Sequence, residues 1–235
     1  MRVFITIAAL FTSLLTFGQE IKIAPVIGVQ MTTVNNSKAL KDAYDIVFLV
    51  DNKIKYQPVI RATVGAWAEY SVNERLGVRS GLLMSFRGGS MKLKDEDYNL
   101  SIKQKFTYLE FPFLVTFQVG TNPIKLMAGP VIGFALAAKT KGTVIETSFG
   151  DESKTTIEEK MSIGNNSQTD EVKPIDFGIN LGVAKEININ DKPLEFSLSV
   201  IPSLSKFTTK TAYSSDYYAR HFALSLKVAY FFSVK

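Results

Sequence analysis

Apolar and polar residues alternate with a period of two in eight segments of this chain. In the last segment, the even-numbered positions from Phe222 to Val234 are all apolar, whereas the odd-numbered positions are polar or small except for Phe231. The segment that begins near residue 58 repeats the pattern, with apolar side chains at the even positions from Ile60 to Tyr70. Because successive side chains of a β-strand point to opposite faces, each segment predicts a strand with one apolar face.

Six further segments follow the same alternation less strictly. They lie at about 20–31, 76–87, 105–118, 124–138, 174–187 and 193–206. Strands of about 9–11 residues with one apolar and one polar face are typical of outer-membrane barrels. We therefore predict an all-β fold: a transmembrane antiparallel up-and-down β-barrel of eight strands, or of ten if loop segments also enter the membrane. A soluble β-sandwich is the alternative for a single domain of this length.

The links between the segments alternate in length. Three short links, at 72–75, 120–123 and 188–192, are rich in turn-forming residues. Long gaps alternate with them at about 32–57, 88–104, 139–173 and 207–218. Outer-membrane barrels have short periplasmic turns and longer extracellular loops. The order therefore predicts an even number of strands, both termini in the periplasm, and a barrel domain over residues 19–235 whose long loops are extracellular.

Residues 1–18 have the layout of a cleavable signal peptide. Arg2 supplies a positive charge, residues 3–15 are mostly apolar, and Thr16-Phe17-Gly18 ends the segment. We expect cleavage after Gly18 and a final location in the outer membrane of a Gram-negative bacterium. The chain has no cysteine, which excludes a lipidated N-terminus, a disulfide and a thiolate metal site.

The composition suits strands whose outer side chains face lipid. Hydrophobic residues make up 46% of the chain and charged residues 21%. The formal net charge is +5, but no Lys/Arg cluster is interleaved with aromatic residues, so we expect no nucleic-acid partner. No run of about 18 apolar residues follows the signal segment, so the sequence predicts no membrane-spanning helix. Nothing in the sequence implies a cofactor.

Charged residues occupy the polar faces of the predicted strands, which should line the lumen. They are Arg61, Arg79, Arg87, Lys125 and Lys227 against Glu69, Glu110, Asp176 and Glu195. An eight-stranded barrel is only wide enough for its side chains to fill it, and buried charges are tolerated when each has a partner. We therefore predict a mutually paired plug. A charged constriction in a conducting pore is the alternative interpretation.

His221 is the only histidine, which leaves few routes to catalysis. A site with several histidine ligands is impossible, and a Ser-His-acid arrangement would have to use this residue. Ser214, Ser215 and Asp216 lie just upstream, near the predicted outer rim. We predict that the protein is not an enzyme and that His221 is a rim residue hydrogen-bonded to Tyr217 or to a neighbouring loop.

The longest gap, 139–173, is acidic. From Lys141 to Val172 it carries seven carboxylates and three lysines. Clustered carboxylates are able to hold Ca²⁺ or Mg²⁺ and so bridge lipopolysaccharide phosphates. The regular spacing of a calcium loop is missing, so we favour a solvated surface and assign no metal site. Residues 144–149 and 155–163 are predicted to form a hairpin around 151–154 that extends two strands above the membrane.

Two apolar features lie where polar residues would be expected, one in a predicted loop and one on a predicted lumen face. Ile46 to Val50 form an apolar patch in the first long gap, which fits an extra strand, a flap folded into the barrel mouth or a docking surface. Trp67, the only tryptophan, should point inward by the parity of its strand and fill the lumen.

The chain resembles the PorT-like outer-membrane β-barrel proteins of Bacteroidota. The residues that carry the resemblance are Tyr108-Leu109-Glu110-Phe111-Pro112, Ala128-Gly129-Pro130, Asp176-Phe177-Gly178 through Gly182, and Leu224 to Phe232. The resemblance implies the barrel fold but not the role of this member. We expect a non-enzymatic barrel with structural or interaction roles; a narrow passive channel and an accessory of a Bacteroidota protein secretion system are the alternatives. The partners we expect are outer-membrane lipid and lipopolysaccharide, the outer-membrane assembly machinery, and an extracellular or secretion-system protein.

Overall fold

The computed structural model describes residues 21–38, 41–42, 54–94, 98–120, 124–148, 151–166, 168–189, 192–209 and 218–234. The strands are β1 (Ile21–Asn36), β2 (Lys55–Gln57), β3 (Val59–Ser71), β4 (Leu76–Lys94), β5 (Tyr98–Gln118), β6 (Ile124–Ser148), β7 (Asp151–Lys160), β8 (Ile175–Ile189), β9 (Lys192–Pro202), β10 (Ala219–Tyr230) and β11 (Phe232–Val234). Within these ranges, no helix has the length and apolar character needed to cross a membrane. The predicted signal peptide at 1–18 and the apolar patch Ile46 to Val50 lie outside the described residues.

Eight long strands close into a ring. Their order is β1, β3, β4, β5, β6, β8, β9 and β10, with β1 paired to both β3 and β10. Ile27 in β1 lies opposite Val64 on one side and opposite Val228 on the other. Every pairing is antiparallel, and the ring follows chain order. The prediction of an eight-stranded up-and-down barrel is therefore confirmed.

The two faces of the strands separate as their alternation predicts. On the outer face, Ile27 is 66% exposed and Ile60 is 77% exposed, and large apolar side chains on most of the other ring strands are exposed too. On the inner face, Trp67 and Ala223 are buried. Phe231, which breaks the polar pattern of the last segment, is buried as well. It follows β10 on the lumen side, where it takes part in the site described below.

One end of the barrel carries short turns, and we call it the turn end. Residues 72–75 connect β3 to β4, and the side-chain oxygen of Asn73 accepts hydrogen bonds from the backbone N–H groups of Arg75 and Leu76, at 2.9 and 2.7 Å. The connections from β5 to β6 and from β8 to β9 lie at the same end, as do the start of β1 and the end of β11.

At the opposite end, the loop end, the strands run further than the apolar alternation does. Residues 88–104 are expected as a loop, yet β4 and β5 stay paired out to Lys94 and Asn99. β6 continues to Ser148, which pairs with Asp151 of β7, so β7 begins at the start of the predicted hairpin turn, 151–154. Together with β2, these strands form a five-stranded wall extension, β2-β4-β5-β6-β7. The predicted loop boundary is wrong because the outer face becomes polar there, with Lys92 and Lys103 exposed, whereas apolar side chains such as Leu93 and Leu100 are buried on the inner face. The apolar stripe on the outer face therefore ends before the strands do.

Two connecting segments fold together at the loop end, and we call them the lid: residues 161–174 and 203–209. Val172 pairs with Ile163 and with Thr208 in isolated bridges, and the N–H of Lys173 donates to the carbonyl of Phe207 at 2.7 Å. Val172 and Phe207 are buried in an apolar cluster with inward side chains of the ring strands. The other buried members of this cluster are Val34, Phe106, Tyr108, Ala138 and Ala219. The lid thus packs against the loop end of the lumen through apolar contacts.

Candidate functional site in the barrel lumen

Charged side chains fill the lumen of the barrel. Seven of the nine predicted lumen residues are at most 5% exposed: Glu69, Arg79, Arg87, Glu110, Asp176, Glu195 and Lys227. The side chain of Lys125 is 13% exposed. An ionised group buried without a partner costs several kcal/mol, so the arrangement of these charges decides whether the lumen is stable and whether it is open.

The first group, the Arg79 cluster, lies towards the turn end and consists of Arg79, Glu69, Glu195 and Lys125. Nη1 and Nη2 of Arg79 donate to the two carboxylate oxygens of Glu195, each at 2.7 Å. Nε donates to Glu69 at 2.7 Å, and Nη2 contacts the same oxygen. Arg79 is on β4 and Glu195 is on β9, which is four places away in the ring of eight. This bidentate pair therefore spans the full width of the lumen.

Lys125 and two aromatic rings complete the Arg79 cluster. Nζ of Lys125 donates to Glu69 at 2.7 Å and lies 3.7 Å from Glu195. The Arg79 guanidinium lies 4.7 Å from the ring centroid of Trp67 and 5.1 Å from that of Phe231. Cation–π contacts of this kind strengthen when water is excluded. The aromatic residue that interrupts the last polar face thus packs against the central arginine.

The second group, the Arg87 cluster, lies towards the loop end. Nη2 of Arg87 is 2.8 Å from Glu110, and Nη1 donates to Asp176 at 2.8 Å. The hydroxyls of Ser203 and Ser205 donate to the two oxygens of Asp176, each at 2.6 Å. Both serines belong to the lid. The Arg87 cluster therefore joins the strands of the ring to the lid, whereas the Arg79 cluster is built from ring strands alone.

Lys227 faces the lumen but joins neither cluster through an ion pair. Its Nζ lies 3.5 Å from the hydroxyl of Ser199, and within the described ranges no carboxylate oxygen lies within 4 Å. The positive and negative charges in the lumen nevertheless balance. Four cations, Arg79, Arg87, Lys125 and Lys227, stand against four carboxylates, Glu69, Glu110, Asp176 and Glu195.

Arg61 does not join the other predicted lumen charges. It is half-buried, and regular pairing between β3 and β4 ends at Thr63 and Ser85, two residues before it. The side chain lines two cavities that also contain outward-facing lysines, among them Lys103 and Lys105. Strand parity places Arg61 on the lumen side, but the gap between the strands lets its side chain reach the outer wall.

His221 is buried rather than placed at the rim. It is 1% exposed, its Nε2 shares a hydrogen bond of 3.0 Å with the hydroxyl of Tyr108, and its ring stacks on Phe207 with a centroid distance of 4.2 Å. Tyr217, its predicted partner, lies outside the described residues. The lid covers this histidine, so a substrate outside the barrel has no access to it.

A cavity of about 500 Å³ opens at the turn end. Arg75, Glu186 and other polar residues line it, and Glu69 and Lys125 of the Arg79 cluster form its inner boundary. Within the described part of the chain, no group of three or more His, Cys, Asp or Glu side chains is placed to hold a metal ion. The side chains of Glu146, Asp151 and Glu152 in the acidic gap are not among those described. The cavity is thus a polar vestibule that ends at the Arg79 cluster.

Sequence reasoning missed the lid and its contribution to the Arg87 cluster. Ser203 and Ser205 fall within the segment 193–206 that the alternation predicts as a strand, but β9 ends at Pro202 and the two serines belong to the lid. The signal in the sequence is a few large apolar residues, among them Ile163, Val172 and Phe207, within largely polar connections.

Comparison with known proteins gives one family and several structures of similar architecture. The chain is similar to the attachment invasion locus protein Ail of Yersinia pestis, at 13% identity, with 90% of this chain and 98% of that chain covered and a TM-score of 0.36. It is similar to Neisserial surface protein A at 12% identity (92% and 100% covered, TM-score 0.40) and to OprG of Pseudomonas aeruginosa at 10% identity (92% and 95% covered, TM-score 0.39). No curated protein sequence matches the chain.

The family assignment comes from the sequence itself. A family model described as an outer membrane protein β-barrel domain matches residues 17–209, which is well over half of the chain. The same stretch contains the start of the ring at β1 and the strands through β9. The chain therefore belongs to the outer membrane protein β-barrel domain family, and its location is the outer membrane.

Proposed function

We propose that this protein is a non-enzymatic outer-membrane barrel with a closed lumen, whose loop end faces the cell exterior and serves structural or interaction roles. The single observation that carries the proposal is the bidentate Arg79–Glu195 pair, which crosses the lumen from β4 to β9. Short turns face the periplasm and longer connections face outward in barrels of this type. In this orientation the wall extension and the lid are the surfaces presented to the environment.

The closed lumen disfavours the alternative of a narrow passive channel. A solute entering from the turn end meets the Arg79 cluster, and one entering from the loop end meets the lid and then the Arg87 cluster. Displacing Arg79 would leave two carboxylates, Glu69 and Glu195, in a space from which water is largely excluded. Breaking a buried pair of this kind costs about 3–5 kcal/mol. The clusters therefore oppose passage even for small ions.

The burial of His221 supports the non-enzymatic assignment. A general base has to lie within hydrogen-bond reach of the proton that it abstracts. The ring of His221 packs against Phe207 and Phe106, and its Nε2 is engaged by the Tyr108 hydroxyl. The residue therefore contributes to the packing of the lid and not to a reaction with an external substrate.

Membership of the PorT-like group is part of the same proposal. The Tyr108 to Pro112 motif supports it through two inward positions, Tyr108 beside His221 and Glu110 beside Arg87. The proposed partners are lipid and lipopolysaccharide around the barrel, the assembly machinery during insertion, and an extracellular or secretion-system protein at the loop end. A role as an accessory of protein secretion is the second candidate, and it rests on the resemblance alone.

Liposome swelling tests the closed lumen. Vesicles that contain the folded protein should not swell in an isosmotic solution of a small neutral sugar, whereas vesicles with an established porin should. Swelling by the wild-type protein at porin-like rates would contradict the proposal. The secretion candidate makes a separate prediction: deletion of the gene traps exported cargo in the periplasm, and normal export would exclude it.

A further inference from the structure

Among the described residues, the outer surface of the wall extension carries more cations than carboxylates. One cavity of about 470 Å³ on this surface is lined by Arg61, Ser101, Lys103, Lys105, Lys141, Thr143 and Lys154. Five of these seven residues are cationic, and the other two carry hydroxyl groups. We call this group the cationic wall site. Its lining contains hydrogen-bond donors and no acidic side chain, which is the chemistry that an anion with several oxygens requires.

The register of the sheet forces these cations together. Lys103 in β5 lies directly opposite Lys141 in β6, and Lys105 lies opposite Lys139. Like charges at directly opposed positions destabilise a sheet. Throughout the described ranges, the single ion pair at this surface joins Lys139 to Glu158, at 3.6 Å. Glu158 in β7 also lies directly opposite Lys141, so among the described residues one carboxylate stands against the five cations of the site. A bound anion would stabilise the remaining excess of positive charge.

Arg61 reaches this site through the gap between β3 and β4. The carbonyls of Phe86 and Gly88, left without partners on β3, accept hydrogen bonds from the side chains of Gln30 and Thr32, at 2.8 and 2.9 Å. The backbone at the gap is thus satisfied from the lumen side. The Nε of Arg61, in contrast, is buried and has no hydrogen-bond partner within the described residues. Arg61 therefore retains an unused donor beside the cavity that it lines.

A second cavity of about 370 Å³ adjoins the first and shares Arg61 and Lys105 with it. Its remaining lining is largely apolar on the side nearer to the ring: Ile60, Ala62, Phe86, Phe106, Thr107 and Ala137, with Arg87 and Lys139. Cations above and apolar side chains below match an amphiphile that has an anionic head and a hydrocarbon chain. A soluble polyanion has no hydrocarbon chain to pack against these apolar side chains.

The cationic wall site lies at the height on the barrel where the headgroups of surrounding lipid are expected. Lys105 is four residues along β5 from the outward-facing Leu109, which corresponds to about 13 Å of strand. Large apolar side chains with high exposure begin there, with Phe134 and Leu136 on β6 and Phe113 on β5. The cations thus lie just beyond the apolar belt, where the charged groups of surrounding lipid are found.

We propose that the cationic wall site binds the phosphate groups of lipopolysaccharide in the outer leaflet, with Arg61, Lys103, Lys105 and Lys141 as ligands and an acyl chain against the lower cavity. The proposal rests on the orientation proposed above, in which the loop end faces outward. It does not depend on whether the lumen conducts.

Native mass spectrometry of the folded full chain in detergent micelles tests this site with bis-phosphorylated lipid A as the probe. The variant K103Q/K105Q/K141Q should bind lipid A at least about tenfold more weakly than the wild type, because three charge-assisted contacts are lost. The control K41Q/K173Q/K185Q removes the same charge from lysines outside the site and should stay within about twofold. Replacement of the same three site lysines by arginine should preserve binding.

Four results would overturn the proposal: equal binding by the wild type and the site variant, equal loss in the control variant, equal binding of dephosphorylated lipid A, or binding of inorganic phosphate or dextran sulfate as tight as that of lipid A. The last result would assign the site to a soluble anion. Migration of unheated samples on a gel verifies that each variant is folded. Since the assay is done in micelles, a leaky lumen or an inverted orientation does not change its outcome.

Discussion

Each of the two ionic clusters in the lumen places an arginine against two carboxylates, but the clusters are built from different parts of the chain. Arg79 is held by two glutamates from ring strands and packed between two aromatic rings. Arg87 shares Asp176 with two serines of the lid and lies beneath an apolar cover. The Arg79 cluster is therefore part of the barrel wall, whereas the Arg87 cluster depends on the lid. The comparison indicates two seals in series along the lumen, the Arg79 cluster at the turn end and the Arg87 cluster with the lid at the loop end. Only the second could open without disturbing the ring strands.

Removal of Arg79 should give the largest effect. Arg79→Ala leaves Glu69 and Glu195 buried, with only Lys125 to compensate them, and the free energy of unfolding should fall by about 3–5 kcal/mol. Urea unfolding of the barrel in lipid vesicles, followed by the fluorescence of the single tryptophan, Trp67, measures this change. Arg75→Ala, in an exposed turn, is the matched control and should change stability by less than about 0.5 kcal/mol.

A neutral replacement distinguishes charge imbalance from lost packing at the same place. The quadruple variant Glu69→Gln, Arg79→Met, Lys125→Met, Glu195→Gln removes both carboxylates together with both cations of the cluster. It should be more stable than Arg79→Ala by about 1–3 kcal/mol, because replacing a whole buried ionic group is often neutral. If the quadruple variant were less stable than Arg79→Ala, the Arg79 cluster would be stabilising in its own right.

Arg87→Ala should lower the free energy of unfolding by about 2–3 kcal/mol, which is less than the effect of Arg79→Ala, because the serine hydroxyls continue to donate to Asp176. The same unfolding measurement applies to Arg87→Ala. Arg87→Lys, which keeps the charge, should recover part of the loss. An Arg87→Ala effect larger than that of Arg79→Ala would reverse the comparison between the two clusters.

Truncation of Phe207 should loosen the lid with little effect on the ring. Phe207→Ala removes the ring that stacks on His221, so the histidine should become reactive to diethylpyrocarbonate, whereas it is protected in the wild type. Phe177→Ala removes a phenyl ring from the outer face and serves as the control. Protection of His221 in the Phe207 variant would show that the lid does not depend on this contact.

The smallest effect should come from the hydrogen bond between Tyr108 and His221. Tyr108→Phe, His221→Phe and the double variant form a double-mutant cycle, and the expected coupling is about 1 kcal/mol in unfolding free energy. A coupling near zero would mean that the two side chains contribute only through packing.

The sequence predicts the wall of this barrel well, because side-chain parity depends only on the local geometry of a strand. The inward position of Trp67 and the outward position of Ile60 follow directly from that alternation. The barrel class was also recognisable from the alternation of short and long links, although the strands at the loop end are longer than the apolar pattern indicates.

Side-chain parity does not predict which charged residues pair with each other in the lumen. Arg79 and Glu195 are 116 residues apart, and parity gives the face of a side chain but not its height along the barrel. Height depends on the stagger of all eight strands. Arg61 shows the same limit, since a local break in pairing moves its side chain towards the outer wall. Residues 161–174 of the lid have no strand-like alternation, and the buried residues of the lid pack against Phe106 and Tyr108, which come from a distant strand.

Single-channel recording in planar lipid bilayers tests the account of two seals in series most directly. Four proteins are compared: the wild type, Arg79→Ala, the pair Arg87→Ala with Phe207→Ala, and the variant that combines all three changes. We expect silent bilayers for the first three and discrete conductance steps only for the combined variant, because either seal alone is enough to block ions. Conductance by the wild type, or by a single-seal variant at the level of the combined one, would contradict the account.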